Sequence, residues 1–166
     1  AEIAVQAALT GHLVLSTLHT NDAAGAIIRL TDMGVEPFLI SSSVIAVLAQ
    51  RLGRAICPRC KVAYTPPADG PERLFLGVPL DRPVTLYRGR GCERCRNTGY
   101  RGRMAIHEVL AVTPALRPLI VRQATTEEIM RAAMEEGTTS LRSDGIAKAL
   151  EGLTTVQEVM RVAYAE

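Results

Sequence analysis

Aromatic residues are scarce in this chain: its 166 residues include four tyrosines, two phenylalanines and no tryptophan. Proteins that bind single-stranded nucleic acid commonly stack bases on exposed aromatic rings, so this composition argues against that class. Apolar residues nevertheless make up 48% of the chain, which is enough to build a folded core. We therefore expect a globular protein that does not bind nucleic acid.

Long apolar runs and lysines are also rare. The longest apolar run, at residues 44–49, is far shorter than the roughly 20 residues that span a bilayer. No basic stretch followed by an apolar one marks a signal peptide, and we expect a soluble, intracellular protein. The two lysines, Lys61 and Lys148, both lie outside any G-x-x-x-x-G-K-[ST] pattern, so we expect no P-loop in this chain.

The formal net charge of +2 hides a strong segregation of charge along the chain. Residues 51–103 hold twelve arginines and lysines against four acidic residues, whereas the flanking segments hold seven against thirteen. A basic segment of this kind favours contact with an acidic surface, such as a neighbouring subunit, a partner protein or anionic lipid. The same charge would also suit a zinc ribbon that binds nucleic acid.

The first part of the chain has the pattern of an α/β fold. Residues 1–9 have helical spacing, and the near-continuous apolar run at residues 12–18 predicts a strand buried on both faces. Asn21 or Asp22 is expected to cap a helix over residues 23–33. A further helix is expected from Pro37 through Leu48. Helix, buried strand and helix in short connections favour a layered α/β fold with a parallel sheet.

The rest of the chain predicts an inserted module followed by helices. Strands are expected at residues 51–56 and 103–111, and six of the nine prolines, six of the thirteen glycines and all four cysteines lie between them. The patterns Thr125-x-x-Glu128 and Thr155-x-x-Glu158 predict helix starts, with another helix at residues 140–150, and together these form a small bundle. The expected domains are therefore residues 1–56, a module at 57–102, and a returning strand with helices at 103–166.

All four cysteines fall in two C-x-x-C pairs, Cys57 with Cys60 and Cys92 with Cys95. Two such pairs can place four thiolates around Zn²⁺ in a tetrahedron, which predicts a structural zinc site with no open position for catalysis. The 31 residues between the pairs exceed the usual spacing of about 15–20, so they are expected to form a sub-loop. Disulfides and a thioredoxin-like redox pair remain alternatives.

Two histidines flank the expected strand at residues 12–18. Ligands of parallel α/β sheets bind beyond the carboxyl ends of the strands. His19, Thr20 and Asn21 lie at that end and are polar groups of the kind that contact phosphate. His12 lies at the opposite end, and either histidine could instead have a structural role.

These residues also carry a family resemblance. The segment at residues 10–22, TGHLVLSTLHTND, resembles the His box of the bacterial traffic ATPases of type II secretion and type IV pilus assembly. The similarity continues over residues 32–38, 49–52, 92–103 and 108–110, and over the helical tail at 141–145 and 152–155. The two cysteine pairs resemble those of the assembly and secretion members rather than the retraction members.

The resemblance implies a RecA-like nucleotide domain that works in a hexameric ring. Inner-membrane platform and assembly proteins would hold this cytoplasmic ring at the membrane, where it uses ATP and Mg²⁺ to drive secretion or pilus assembly. Family position implies that His19 senses the γ-phosphate, with a weaker case for His12. It also implies that Arg101 and Arg103 lie near the subunit interface.

The resemblance also implies that this chain is the C-terminal portion of such an enzyme. The Walker A, Asp box and Walker B motifs of the family precede its His box, and residues 1–2 resemble the positions just after Walker B. We therefore expect the chain alone to be inactive, because it lacks the phosphate cradle and the Mg²⁺ carboxylates. The sequence departs from the family at Met104, Ala105 and His107, and the roles of Gln50, Arg51 and His107 are not assigned.

Overall fold

The computed structural model describes residues 1–79 and 81–163. Its helices are α1 (Glu2–Leu9), α2 (Ala23–Asp32), α3 (Pro37–Ser43), α4 (Pro71–Leu76), α5 (Arg117–Val121), α6 (Thr126–Glu135), α7 (Leu141–Leu150) and α8 (Val156–Ala163). Its strands are β1 (Ala46–Ile56), β2 (Lys61–Tyr64), β3 (Leu86–Gly89) and β4 (Tyr100–Ala111), and a 3₁₀ helix spans Glu93–Cys95. The chain divides into two compact units.

The first unit comprises residues 1–49 and 108–140. Helix α3 packs on α1, α2 and α5, and helix α6 packs on α2 and α5. The largest fully buried side chains of this unit are Ile27, Ile40, Leu110, Leu116 and Ile129. These side chains remove apolar surface from water, which stabilises the unit by about 25 cal/mol per Å² of buried area.

The helix starts predicted for this unit are confirmed. The Asp22 carboxylate accepts a hydrogen bond from the backbone amide of Gly25 at 2.6 Å, and this contact caps α2. Thr125 and Glu128 form the reciprocal capping box of α6. Each cap satisfies backbone amides that the first helical turn leaves without a partner.

Two predictions for the first unit are wrong. Residues 12–18 form no strand, and Leu13 and Leu15 are 78% and 87% exposed. A strand buried on both faces needs a partner on each side, and no strand among the described residues pairs with this segment. The helix that begins at Pro37 ends at Ser43, because the apolar run that follows enters strand β1 instead.

The second unit comprises residues 50–107 and the chain from Leu141 onward. Strands β2 and β3 form an antiparallel hairpin in which Lys61 pairs with Gly89 and Tyr64 with Leu86. Helix α8 packs on α4 and α7, and α7 also packs on β3. The largest fully buried side chains include Leu86, Ile106, Val156 and Val159.

Strands β1 and β4 form the other sheet. In the first unit the amide of Val112 donates to the carbonyl of Ile45 at 2.8 Å, and in the second the amide of Cys57 donates to Gly99 at 2.9 Å. The start of one strand therefore lies beside the end of the other, and the pair is antiparallel. Both sheets of the described residues are thus antiparallel pairs, which corrects the expected parallel sheet.

The expected helices of the C-terminal segment all form. Helix α6 belongs to the first unit, and α7 and α8 belong to the second. The domain boundaries expected at 56/57 and 102/103 stay predictions. Within the described residues no helix combines the length and the apolar character needed to cross a membrane.

Candidate metal centre and neighbouring sites

The four cysteine sulfurs lie together in the second unit. The Sγ atoms of Cys57, Cys60, Cys92 and Cys95 are all within 4.8 Å of one another. Three of the Sγ separations are 3.9 Å for Cys57 to Cys92, 3.9 Å for Cys60 to Cys95, and 3.7 Å for Cys92 to Cys95. Four sulfurs that surround one Zn²⁺ at about 2.3 Å in a tetrahedron are about 3.8 Å apart. The cluster therefore has the size of a Zn(Cys)₄ site.

The alternatives to a metal site fit this geometry poorly. The cysteines are all free, and their sulfurs are well beyond the roughly 2.05 Å of a disulfide bond. A redox C-x-x-C site uses one pair of thiols, whereas here both pairs converge on one point. The donor set contains only sulfur, which suits a structural Zn²⁺ that has no open position for substrate.

Two backbone amides donate hydrogen bonds to one sulfur of the second pair, that of Cys95. The amides of Cys92 and Gly99 donate to Cys95 Sγ at 3.2 and 3.3 Å. Burial by itself would raise the pKa of Cys95, but these two hydrogen bonds, together with those from the side chains of Cys92 and Cys60, lower it to about 6. Burial raises the pKa of Cys60 to about 11, against a hydrogen bond from the amide of Gly91 that lowers it. The lowered pKa of the Cys95 sulfur favours the thiolate, which is the form that binds a metal.

The hairpin of β2 and β3 brings the two cysteine pairs together. The carbonyl of Cys60, just before β2, accepts from the amide of Arg90, just after β3, at 3.0 Å. The predicted sub-loop between the pairs is confirmed as β2, α4 and β3.

Two glycines allow a close approach next to the cluster. A Cβ atom on Gly89 would overlap the backbone of Gly99, and a Cβ on Gly99 would lie 2.7 Å from the carbonyl oxygen of Gly89. Gly99 also has a φ of 78°, which side chains other than glycine rarely adopt. These positions therefore need glycine for the hairpin to reach the start of β4.

A buried carboxylate that no local sequence pattern predicts lies beside the end of strand β1. Glu158 is only 2% exposed. Its Oε2 accepts from the amide of Arg54 at 3.0 Å and from the Arg161 guanidinium at 2.8 Å, while Oε1 lies 2.5 Å from Arg54 Nη2. Burial would raise the pKa of Glu158, but the two arginines and the amide lower it to about 2.

The pattern Thr155-x-x-Glu158 therefore marked a helix start but missed the role of its glutamate. The amide of Glu158 does donate to Thr155 Oγ1 at 3.2 Å, as in a capping box. The carboxylate turns instead to Arg54, which also lies 4.2 Å above the ring of Tyr100. Sequence patterns within one helix cannot reveal a partner about 100 residues away.

His12 and His19 lie in the first unit, before α2. His19 is exposed in the segment that leads to the Asp22 cap, and not at the end of a strand as expected. His12 is also exposed, with its Nδ1 3.1 Å from Thr10 Oγ1 and 3.3 Å from the carbonyl oxygen of Ala7. Their functional roles stay predictions.

The remaining predicted site residues lie in the second unit. Arg101 and Arg103 are both exposed on β4, and Arg101 Nη1 donates to the carbonyl of Arg94 at 3.2 Å. The His107 amide donates to Asp144 Oδ2 at 2.8 Å. The Arg51 guanidinium lies near the carbonyl of Gln50, at 3.4 Å. None of these contacts tests the expected interface role.

A second buried carboxylate lies in the first unit. Glu108 is 3% exposed, and its Oε1 accepts from the amide of Ala23, the first residue of α2, at 2.8 Å. Alternation along β4 would have placed Glu108 on the buried face with Ile106 and Leu110. A carboxylate on that face signals a polar partner, because an isolated buried charge is costly.

Comparison with known proteins gives a consistent result over almost the whole chain. Residues 1–161 match the family model described as Type II/IV secretion system protein. A Type II secretion system protein E of Pseudomonas aeruginosa is 55% identical over 166 residues, which cover 100% of this chain and 32% of that relative. A Type II secretion system ATPase E of Vibrio cholerae is 53% identical over 162 residues, covering 98% and 32%.

A relative named for pilus assembly matches almost as well. The Type IV pilus assembly ATPase PilB of Thermus thermophilus is 52% identical over 160 residues, which cover 96% of this chain and 18% of that relative. The chain thus spans about a third of the length of the first two relatives. A match over residues 1–161 at this level of identity confirms the family resemblance, and the chain belongs to the Type II/IV secretion system protein family.

Proposed function

We propose that the chain is the C-terminal portion of a hexameric, ATP-hydrolysing motor that powers type II secretion or type IV pilus assembly. The observation that carries this proposal is the family match over residues 1–161, together with relatives named as ATPases of both systems. The motor would work in the cytoplasm, held at the inner membrane by platform and assembly proteins.

Within this motor, residues 1–56 and the returning strand would belong to a RecA-like nucleotide domain. The exposed leucines at positions 13 and 15 support this assignment, because an apolar segment without a partner strand fits a sheet that other parts of the intact protein complete. ATP and Mg²⁺ would be held by residues outside this chain, since its lysines lie in no P-loop pattern. His19 would sense the γ-phosphate, and His12 would assist it or support the local backbone.

The cysteine cluster would bind Zn²⁺ as a structural ion. Bound zinc supplies folding free energy to a segment that has few apolar side chains. Cys57, Cys60, Cys92 and Cys95 would provide all four bonds, so the ion would take no part in phosphoryl transfer. Arg101 and Arg103 would lie at the subunit interface of the ring.

The proposal is tested by comparing the 166-residue chain with the intact protein that contains it. We expect the intact protein to hydrolyse ATP and the isolated chain to show no turnover. In the intact protein, His19→Ala should reduce turnover, whereas His107→Ala, a histidine outside the His box, should leave it close to wild type. Turnover by the isolated chain would contradict the assignment of the phosphate site to other residues.

The zinc assignment has its own test. Metal analysis of the purified chain should find one zinc per chain, and Cys57→Ser or Cys95→Ser should abolish it. The same variants also test the alternative function of the basic segment as a zinc ribbon. If the wild-type chain binds DNA or RNA at micromolar concentration and the cysteine variants lose that binding, the result would support the zinc ribbon instead.

A further inference from the structure

The first unit carries a groove that the proposed function does not use. The groove lies between the start of α2 and helix α6 and has a volume of about 620 Å³. Met130 and Met134 project into it from α6, and Met134 is half exposed. Methionine side chains are flexible and polarisable, so a methionine surface adapts to varied apolar partners.

Carboxylates surround this apolar surface. Glu127 and Glu135, both exposed on α6, line the groove together with Asp22 and Glu108. Among the described residues that line it, Arg131 is the one basic residue. A partner that fits must therefore combine positive charge with apolar surface, which is the character of an arginine side chain with its three methylene groups.

The opposite charge lies in the second unit. The first unit holds nine acidic residues against four arginines, whereas the second holds fifteen arginines and lysines against eight acidic residues. Among these cations, Arg59 and Arg94 occupy the same position in the two C-x-x-C pairs, and both are exposed. Arg101 reaches the same surface, because its guanidinium donates to the carbonyl of Arg94.

We infer that the groove formed by α2 and α6 of one copy binds the arginine surface around the cysteine pairs of a second copy. The arginine stems would lie on Met130 and Met134, and the guanidinium groups would reach Glu127 and Glu135. The chain carries both halves of this complementary pair on different units, so a second copy of the chain can supply the surface that binds in the groove. Such a contact joins unlike surfaces and can repeat around a ring.

This inference rests on the proposed ring of subunits and names one of its contacts. The test uses the intact protein, with assembly followed by mass photometry over a range of concentrations. Glu127→Arg with Glu135→Arg should raise the concentration needed for half-assembly at least about tenfold, the effect of losing roughly 1.4 kcal/mol of contact free energy. The matched control, Asp32→Arg with Glu36→Arg, makes the same charge change on exposed residues of the same unit outside the groove.

Charge exchange and cross-linking identify the partner surface. Adding Arg59→Glu and Arg94→Glu to the groove variant should restore assembly. Arg131→Glu alone, which removes the basic residue from the groove, should lower the concentration needed for half-assembly. Arg94→Lys keeps the charge and introduces an amine that a carbodiimide can couple to a carboxylate. In a mixture of ¹⁴N- and ¹⁵N-labelled copies, we expect mixed-label cross-links from position 94 to Glu127 or Glu135.

The outcomes separate this contact from the proposed function. Wild-type-like assembly of the groove variant would overturn the contact, as would the absence of mixed-label cross-links from an assembled ring. If the reversal at Arg59 and Arg94 disturbs metal content, the Arg94→Lys cross-link decides alone. A ring that still hydrolyses ATP in those cases leaves the proposed function intact, whereas an intact protein that neither assembles nor hydrolyses ATP contradicts both.

Discussion

Glu158 holds Arg54 at two points at once. One carboxylate oxygen lies 2.5 Å from the Arg54 guanidinium, and the other accepts from the Arg54 backbone amide at 3.0 Å. The carbonyl of Arg54 in turn accepts from Thr154 Oγ1 at 2.8 Å, and the amide of Ile56 donates to Leu153 at 2.9 Å. These hydrogen bonds thus join the end of β1, just before Cys57, to Glu158 in the first turn of α8 and to the two residues Leu153 and Thr154 that precede this helix.

Removing the charge of Glu158 should destabilise the second unit. The Glu158→Gln variant leaves Arg54 and Arg161 without their anion in a site where the carboxylate is 2% exposed. A pKa of about 2, below the ordinary value of 4.5, corresponds to a loss of about 3 kcal/mol in the free energy of unfolding at pH 7. Urea denaturation of the chain measures this free energy. Glu151→Gln, which changes an exposed glutamate of the same unit, serves as the control.

The same carboxylate predicts an acid-dependent loss of stability. Because the pKa of Glu158 is lower in the folded protein than in the unfolded chain, its contribution is complete above about pH 5 and is lost as the pH falls toward 2. The difference in unfolding free energy between wild type and Glu158→Gln should shrink over that range. A difference that stays constant from pH 7 to pH 3 would contradict the assigned role.

Local patterns predicted those features that depend on neighbours in sequence. Asp22 and Thr125 cap their helices as expected, and the two C-x-x-C pairs converge as their spacing indicated. The run at residues 12–18 has the composition of a buried strand, but composition does not supply a partner, and the segment is exposed. Glu158 and Glu108 were missed because their partners lie about 100 and 85 residues away.

The close approach of Gly89 and Gly99 should be required for the metal centre. Gly89→Ala places a Cβ against the backbone of Gly99, whose amide donates to the Cys95 sulfur. We expect the variant to bind Co²⁺ at least about tenfold more weakly than wild type, as measured from the sulfur-to-cobalt charge-transfer absorption. Gly53→Ala is the matched control, since a Cβ there meets only ordinary contacts at 3.9 Å. Equal cobalt affinity in both variants would contradict this prediction, because it would mean that the β2–β3 hairpin can move to accept the added Cβ atom without weakening the metal centre.

Glu108 should stabilise the start of helix α2. In Glu108→Ala the amide of Ala23 loses its carboxylate acceptor within the protein interior, which costs about 1–3 kcal/mol. Hydrogen exchange at the amides of the first turn of α2 should therefore become about tenfold faster or more. Glu36→Ala removes an exposed glutamate of the same unit that makes no capping contact with α3, and it should leave that exchange unchanged. A comparable acceleration in both variants would point to general loosening of the unit.

Removal of the bound metal should act first on the second unit. The cluster joins the β2–β3 hairpin to the start of β4 through the contacts from Cys60 to Arg90 and from Cys57 to Gly99. Without the ion the four metal bonds are lost, and the pKa of Cys60, raised to about 11 by burial, favours the protonated thiol at that position. We expect hydrogen exchange after chelation to accelerate in β2, β3 and the 3₁₀ helix at Glu93–Cys95, while α3 and α6 of the first unit keep their protection. Equal acceleration in both units would mean that the metal stabilises the chain as one cooperative body, and unchanged exchange would contradict a structural metal.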